Sequence, residues 1–244
     1  MKDEIKCKAG HKGKDAMRGR SKGIIKKAMG GDISLELARE AYNANPRSNI
    51  NGYVLDTGLS NRKTRTYHNP ETKQTYIAHR GTDPKHRGDL KNDALIGLGL
   101  FNRGNSKRLR LAEDISKGAQ AKYGNNITNV GHSLGATVAE RTGQRLRPEN
   151  SKVVGYNPGV SPLDIPRALY NKAVNYFNPN SAQAQRNQNV TRHTTGVDPI
   201  SMSGLVNSGK TVLHTPTSLN PHGLGNFKKG GAVKLKQPKK GTSK

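Results

Sequence analysis

The apolar positions of this chain change period several times, and each change marks an element. Ile33, Leu35, Leu37, Ala38, Ala41 and Tyr42 recur near helical spacing behind Asp32, which predicts an amphipathic helix over 33–44 with Asp32 as its N-cap. Residues 53–58 and 64–67 read as strands, and the turn chemistry of Asn69-Pro70-Glu71-Thr72 leads into another at 74–79, so this stretch predicts a hairpin. Leu109, Leu111, Ala112, Ile115, Ala119 and Ala121 predict a second helix over 106–123, ended by Gly124. A short β-branched run, 126–130, predicts a buried strand. Helical spacing then returns from Leu134 to Arg147, with Pro148 as the stop. Residues 152–157 and 189–195 predict further strands, and Val212-Leu213 forms a strand-like run closed by His214. Residues 169–187, rich in Asn, Gln and Ala, are compatible with either a helix or a long loop.

A length of 244 residues fits one α/β domain with a substantial core. Composition narrows where that core lies. Only 31% of residues are hydrophobic and the formal charge is +25, but the charge is uneven. Residues 1–31 hold eight Lys and two Arg against three acids, and residues 228–244 hold seven Lys and no acid, leaving +11 on the body. Both ends lack apolar periodicity and read as basic, disordered tails, which puts the domain at 32–227. Such tails attract anions: an anionic membrane surface, nucleic acid or acidic proteins. A solubilising extension without a specific partner is the plain alternative. The apolar content of 23–29 is too sparse for a signal-peptide core or a membrane span, so an intracellular or virion-associated location is favoured. Cys7 is the only cysteine, which excludes an intrachain disulfide and the Cys-based metal patterns. Composition leaves the oligomeric state open.

The chemistry centres on Gly131-His132-Ser133-Leu134-Gly135, a G-x-S-x-G pentapeptide between a predicted strand and a predicted helix. In that context Ser133 would occupy a strained strand-to-helix turn with its hydroxyl exposed, and the two glycine slots would be steric necessities. The alternative is a Gly-rich turn without chemistry. A serine nucleophile needs a histidine to take its proton and a carboxylate to orient that histidine. In the order Ser, acid, His, the acids after Ser133 are Glu140, Glu149, Asp164 and Asp198, and the histidines are His193, His214 and His222. Glu140 lies on the predicted elbow helix and Glu149 just beyond it, away from the strand ends. Asp198 follows a predicted strand and precedes two histidines, so it is preferred over Asp164, whose alternative role is an N-cap. His222, in a loop-like Asn220-Pro221-His222-Gly223 stretch, is preferred as base. His214 is the runner-up, with a strand-end histidine as its alternative role. An oxyanion hole would draw on Leu134 and on Thr82, which could offer both its N–H and its hydroxyl.

The run 76–82 before an acidic 89–93, the elbow 130–136, Asn157-Pro158-Gly159, Val197-Asp198-Pro199 and His222-x-Leu224-x-Asn226-Phe227 together resemble the class 3 (fungal-type) lipases. The resemblance covers most of 33–227. It implies an α/β-hydrolase fold with a mostly parallel central sheet and flanking helices. It also implies hydrolysis of lipid carboxylic esters without metal or cofactor, with Ser133 as nucleophile, Asp198 and His222 as its partners, and Thr82 and Leu134 as oxyanion donors. The chain departs from the family at His79, a position usually apolar or aromatic, which reads as a pocket residue or an exposed strand end. It also has no Trp and three Phe, so the best lid candidate is the apolar run 94–101, with a buried loop-helix segment as the alternative. Two functions follow: a serine esterase acting on acylglycerol or phospholipid, or an inactive hydrolase scaffold binding membrane or nucleic acid through its tails.

Overall fold

In a computed structural model, the described residues are 33–82, 104–146, 151–159, 188–196, 209–217 and 222–227, with 91–93, 95, 96, 100–102, 166, 169, 170, 173, 176–181, 184, 198 and 220 between them. Both basic tails, Asp32, Glu149 and Asp164 therefore lie outside the described residues, as do positions 94 and 97–99 of the lid candidate and nearly half of 169–187.

Eight strands form one sheet in sequence order: β1 (Asn49–Ile50), β2 (Tyr53–Asn61), β3 (Thr64–His68), β4 (Thr75–His79), β5 (Ile127–His132), β6 (Ser151–Tyr156), β7 (Val190–Thr195) and β8 (Lys210–His214). The pairings from β1 to β4 are antiparallel, and those from β4 to β8 are parallel. The architecture is α/β, and among the described residues the helices Lys107–Tyr123 and Leu134–Gly143 make the crossovers from β4 to β5 and from β5 to β6. The predicted hairpin is β3–β4, in register from Thr64↔His79 to His68↔Thr75. A second hairpin, β1–β2, turns on Asn51-Gly52, both at positive φ (52° and 86°) as a two-residue hairpin turn requires.

Two apolar layers sandwich the sheet because successive side chains on a strand point to opposite faces. On β4, Ala78 faces helix α1 (Ile33–Glu40), packing with Leu37, Ala38, Val130, Tyr156 and Phe227. Ile77 faces the other way, toward Ala119 of helix α2 (Lys107–Tyr123). Helix α3 (Leu134–Gly143) shares the α2 side, where Leu134 and Val138 pack on Leu109 and Ala112. The limits of α2 follow its caps: the Ser106 hydroxyl accepts from the Leu109 N–H at 3.1 Å, and Gly124 closes the helix at φ 81°.

Four elements differ in length from their sequence reading. α1 stops at Glu40 rather than at 44 because the Glu40 carboxylate takes the Arg47 N–H (2.8 Å) and the Asn43 amide (3.1 Å), while Asn43 accepts from Asn45 N–H, forming a side-chain-bonded turn before Pro46. α3 stops at Gly143, where a side chain would collide with Val153; this glycine lets the helix lie close on β6. β5 runs two residues further than expected, through Gly131 and His132, and β2 extends to Asn61 across a register shift after Asp56.

Candidate active site

The five parallel strands deliver one chemical group each to the same sheet edge, the edge beyond their C-terminal ends. Ser133 follows β5, Asn157 follows β6, Asp198 follows β7, and the loop bearing His222 follows β8; Thr82 comes three residues after β4. No stretch of sequence brings these residues together. The parallel pairing does.

Ser133 sits at φ 56° and ψ −129°, a left-handed conformation costly for a non-glycine residue. Its N–H is held by the Tyr156 carbonyl at 3.0 Å, and its own carbonyl accepts from Ala136 at 2.9 Å. The turn is so tight that a Cβ on Gly131 would strike the Gly135 carbonyl, and one on Gly135 would strike the carbonyls of His79 and Arg80. Both glycines are steric necessities. Strand, strained serine and helix, at the edge of this sheet, have the geometry that a nucleophile elbow requires. The chain has the α/β-hydrolase fold.

His222 Nε2 lies 2.8 Å from Ser133 Oγ, and His222 Nδ1 lies 2.7 Å from Asp198 Oδ2. A carboxylate only accepts, so Nδ1 carries the hydrogen and Nε2 is left to accept from the serine hydroxyl. Asp198 is 1% exposed, whereas the His222 side chain is 20% exposed. This row of three can move the serine proton onto an imidazole whose tautomer a buried carboxylate fixes. The loop holding His222 is organised by the fully buried Asn226, which donates to the Asn220 and Gly223 carbonyls (2.8 and 3.0 Å) and accepts from Thr217 N–H at 2.8 Å.

The runner-up base His214 and the acid set aside on the elbow helix, Glu140, stand elsewhere. His214 Nε2 lies 2.9 Å from His193 Nδ1, and its ring meets Phe227 edge-on. Glu140 faces Arg192 in a two-point ion pair (2.7 and 2.9 Å) on the body of β7. The main-chain N–H groups of Leu134 and Gly135, in the first turn of α3, have no intrahelical acceptor. Thr82 differs from its expectation: its hydroxyl donates to the Asp93 carboxylate (2.9 and 3.0 Å), leaving its N–H as the group without a partner among the described residues.

His79 is neither a pocket residue nor an exposed strand end. It is fully buried, with Nε2 on Asn129 Oδ1 at 3.0 Å and Nδ1 beside Thr64 Oγ1 at 3.2 Å, and burial pushes its imidazole down to about 4. Within the lid candidate, Ile96 and Phe101 are buried against Leu109 and Leu134, while Leu100 is exposed. A cavity of about 380 Å³ on the sheet is lined by Tyr76, Thr128, Lys152, Asn189 and His193 and includes none of Ser133, Asp198 or His222.

Three polar residues at this edge, Tyr42, His132 and Asn157, had no role assigned to them from the sequence. The Tyr42 hydroxyl lies 2.8 Å from His132 Nδ1, and the His222 carbonyl receives both His132 Nε2 (2.7 Å) and Asn157 Nδ2 (3.0 Å). Burial pushes the His132 imidazole down to about 4, so it is neutral near pH 7. His132 was legible only as the variable position of the pentapeptide, and nothing in the sequence ties Tyr42 to it. Among the described residues, no cluster of three or more His, Cys, Asp or Glu could hold a metal ion, and no helix is long and apolar enough to cross a membrane.

No protein-family model and no curated protein matches this chain. Several solved structures resemble it, among them the Lip2 lipase of Yarrowia lipolytica, at 14% identity, with 79% of this chain and 80% of that one covered and a TM-score of 0.47, and a triacylglycerol lipase of Penicillium expansum, at 14% identity, 80% and 82% coverage and a TM-score of 0.41.

Proposed function

We propose that this chain is a serine carboxylic ester hydrolase of the class 3 lipase type, acting on lipid esters through Ser133, His222 and Asp198. One observation carries the reading: a single imidazole bridges a strained elbow serine and a buried aspartate, at 2.8 and 2.7 Å. A structural histidine would gain nothing from a serine held at positive φ, whose strain must be offset elsewhere in the fold.

In the proposed reaction, Ser133 Oγ attacks the ester carbonyl carbon while its proton passes to His222 Nε2. The tetrahedral oxyanion faces the N–H groups of Leu134 and Thr82. The C–O bond to the alcohol then breaks as His222 returns its proton to the departing oxygen, leaving an acyl ester on Ser133. Water, deprotonated by His222, attacks that ester, and the carboxylic acid leaves with Ser133 restored. Asp198 stabilises the imidazolium in both halves.

The lipid character of the substrate is supported by the five motifs shared with the class 3 lipases and by the apolar Leu95, Ile96 and Leu134 near the elbow. The +11 on the body makes an anionic phospholipid as suitable as a neutral acylglycerol, and the basic tails fit an anionic membrane surface or nucleic acid. The test is acid release from triacylglycerol, phosphatidylglycerol and phosphatidylcholine vesicles, with Ser133→Ala as control. Hydrolysis of at least one by wild type, and by none with the variant, is expected. Vesicle binding without hydrolysis would replace this reading with that of an inactive, membrane-binding scaffold.

A further inference from the structure

His132 ends β5 immediately before Ser133, with its ring turned to the α1 side of the sheet. Its Nε2 lies 2.7 Å from the main-chain oxygen of His222. A carbonyl only accepts, so Nε2 carries the hydrogen; Nδ1 is therefore the acceptor, and it takes the Tyr42 hydroxyl at 2.8 Å. Asn157 Nδ2 donates to the same His222 oxygen at 3.0 Å. Asn157 is itself fixed between two strands: its N–H donates to the His193 carbonyl (2.7 Å), its side-chain oxygen accepts from Thr195 N–H (3.0 Å), and its backbone is held at φ 43°.

We propose that Tyr42, His132 and Asn157 form a clamp on the main chain of His222 and thereby set the aim of its imidazole at Ser133; the inference rests on the ester-hydrolase reading above. None of the three touches Ser133 Oγ, so they are positioning residues. A general base must keep Nε2 on the serine and Nδ1 on the aspartate while gaining and losing a proton, and its imidazole is far more exposed than the carboxylate that orients it. With the carbonyl gripped twice, only the two side-chain torsions of His222 remain to be set, and Asp198 sets them. The strand that presents the nucleophile also holds the base.

The polarity of the clamp also has a use. Hydrogens run from Tyr42 to His132 and from His132 to the His222 carbonyl, so neither nitrogen of His132 has a lone pair left for a proton. The two imidazoles are 5.1 Å apart. A charged His132 would oppose the imidazolium that forms at His222 during turnover, and burial works against that charge.

The test compares His132→Leu, which keeps apolar bulk, with His132→Gln, which keeps a side-chain donor that does not titrate. In the full chain, kcat and KM on a short-chain ester are read beside the downfield proton resonance shared by His222 Nδ1 and Asp198. His132→Leu is expected to lower kcat about ten-fold or more at near-constant KM and to broaden that resonance. His132→Gln should recover most of both, and Tyr42→Phe, which removes one hydroxyl, should move both in the direction of His132→Leu. Equal losses in the Leu and Gln variants, or an unchanged kcat and resonance in His132→Leu, overturn the clamp. If His132→Leu does not fold, Tyr42→Phe decides by the same two readings. If wild type hydrolyses no ester yet the resonance is present and follows the pattern above, the clamp stands and the hydrolase reading falls.

Discussion

Asp198 holds His222 from the side away from Ser133: its Oδ2 lies 2.7 Å from Nδ1, and the carboxylate is buried to 1% exposure. Because that carboxylate fixes which nitrogen carries the hydrogen, Asp198→Asn is predicted to present a donor where an acceptor is needed and to turn the imidazole to the wrong tautomer. Steady-state kinetics should show kcat lower by about 10³- to 10⁴-fold at similar KM, with the thermal midpoint little changed. Activity within tenfold of wild type would remove Asp198 from the proposed row.

Thr82 distinguishes two kinds of oxyanion hole. Its hydroxyl is committed to Asp93, so the N–H is the available donor. Thr82→Val keeps that N–H, and kcat is predicted to fall by less than about tenfold. A fall of about 10²- to 10³-fold would mean that the hydroxyl leaves Asp93 for the oxyanion.

Gly135→Ala places a methyl group against the main-chain carbonyls of His79, the last residue of β4, and Arg80, just beyond it, which cannot swing aside as a side chain could. Denaturant unfolding is predicted to show a loss of at least about 2 kcal/mol, with activity falling in parallel. Gly225→Ala, where nothing lies near the added carbon, is the matched control and should fold normally.

The sequence carried the chain order of this site better than its architecture. Ser133, Asp198 and His222 could be chosen because the elbow pentapeptide fixes one residue, and few acids and histidines follow it. The hairpin β3–β4 and helix α2 were legible through local chemistry: the Asn-Pro turn, the Ser106 cap and the Gly124 stop. The Asn51-Gly52 hairpin carried an equally local signal that the alternation of 53–58 overshadowed. What could not be read depends on distant pairing. His79 looked like a pocket or surface residue because its buried partners, Asn129 and Thr64, come from neighbouring strands. The Tyr42–His132 contact spans 90 residues, and Tyr42 lies just past the end of α1.

Two buried histidines give stability a pH dependence. His79 and His132 both fall from an ordinary 6.5 to about 4 through burial, so between those values the unfolded chain binds protons that the native state refuses. Their contribution is complete above pH 6.5, is lost as pH falls toward 4, and changes little below that, with a slope on the order of 1 kcal/mol per pH unit for each. Urea unfolding from pH 7.5 to 4 should show this decline, and His79→Gln should show a shallower one. A stability that stays flat across that range would contradict the burial of both rings in neutral form.

The most direct measurement of the central claim is covalent labelling of the full chain with a fluorophosphonate, which reacts only with a serine whose proton is being withdrawn. Wild type should take up one phosphonate, mapped by peptide mass spectrometry to Ser133, with uptake slowed in His222→Ala and Asp198→Asn and absent in Ser133→Ala. A folded wild-type chain that takes up no label, or takes it at a residue other than Ser133, would contradict the account.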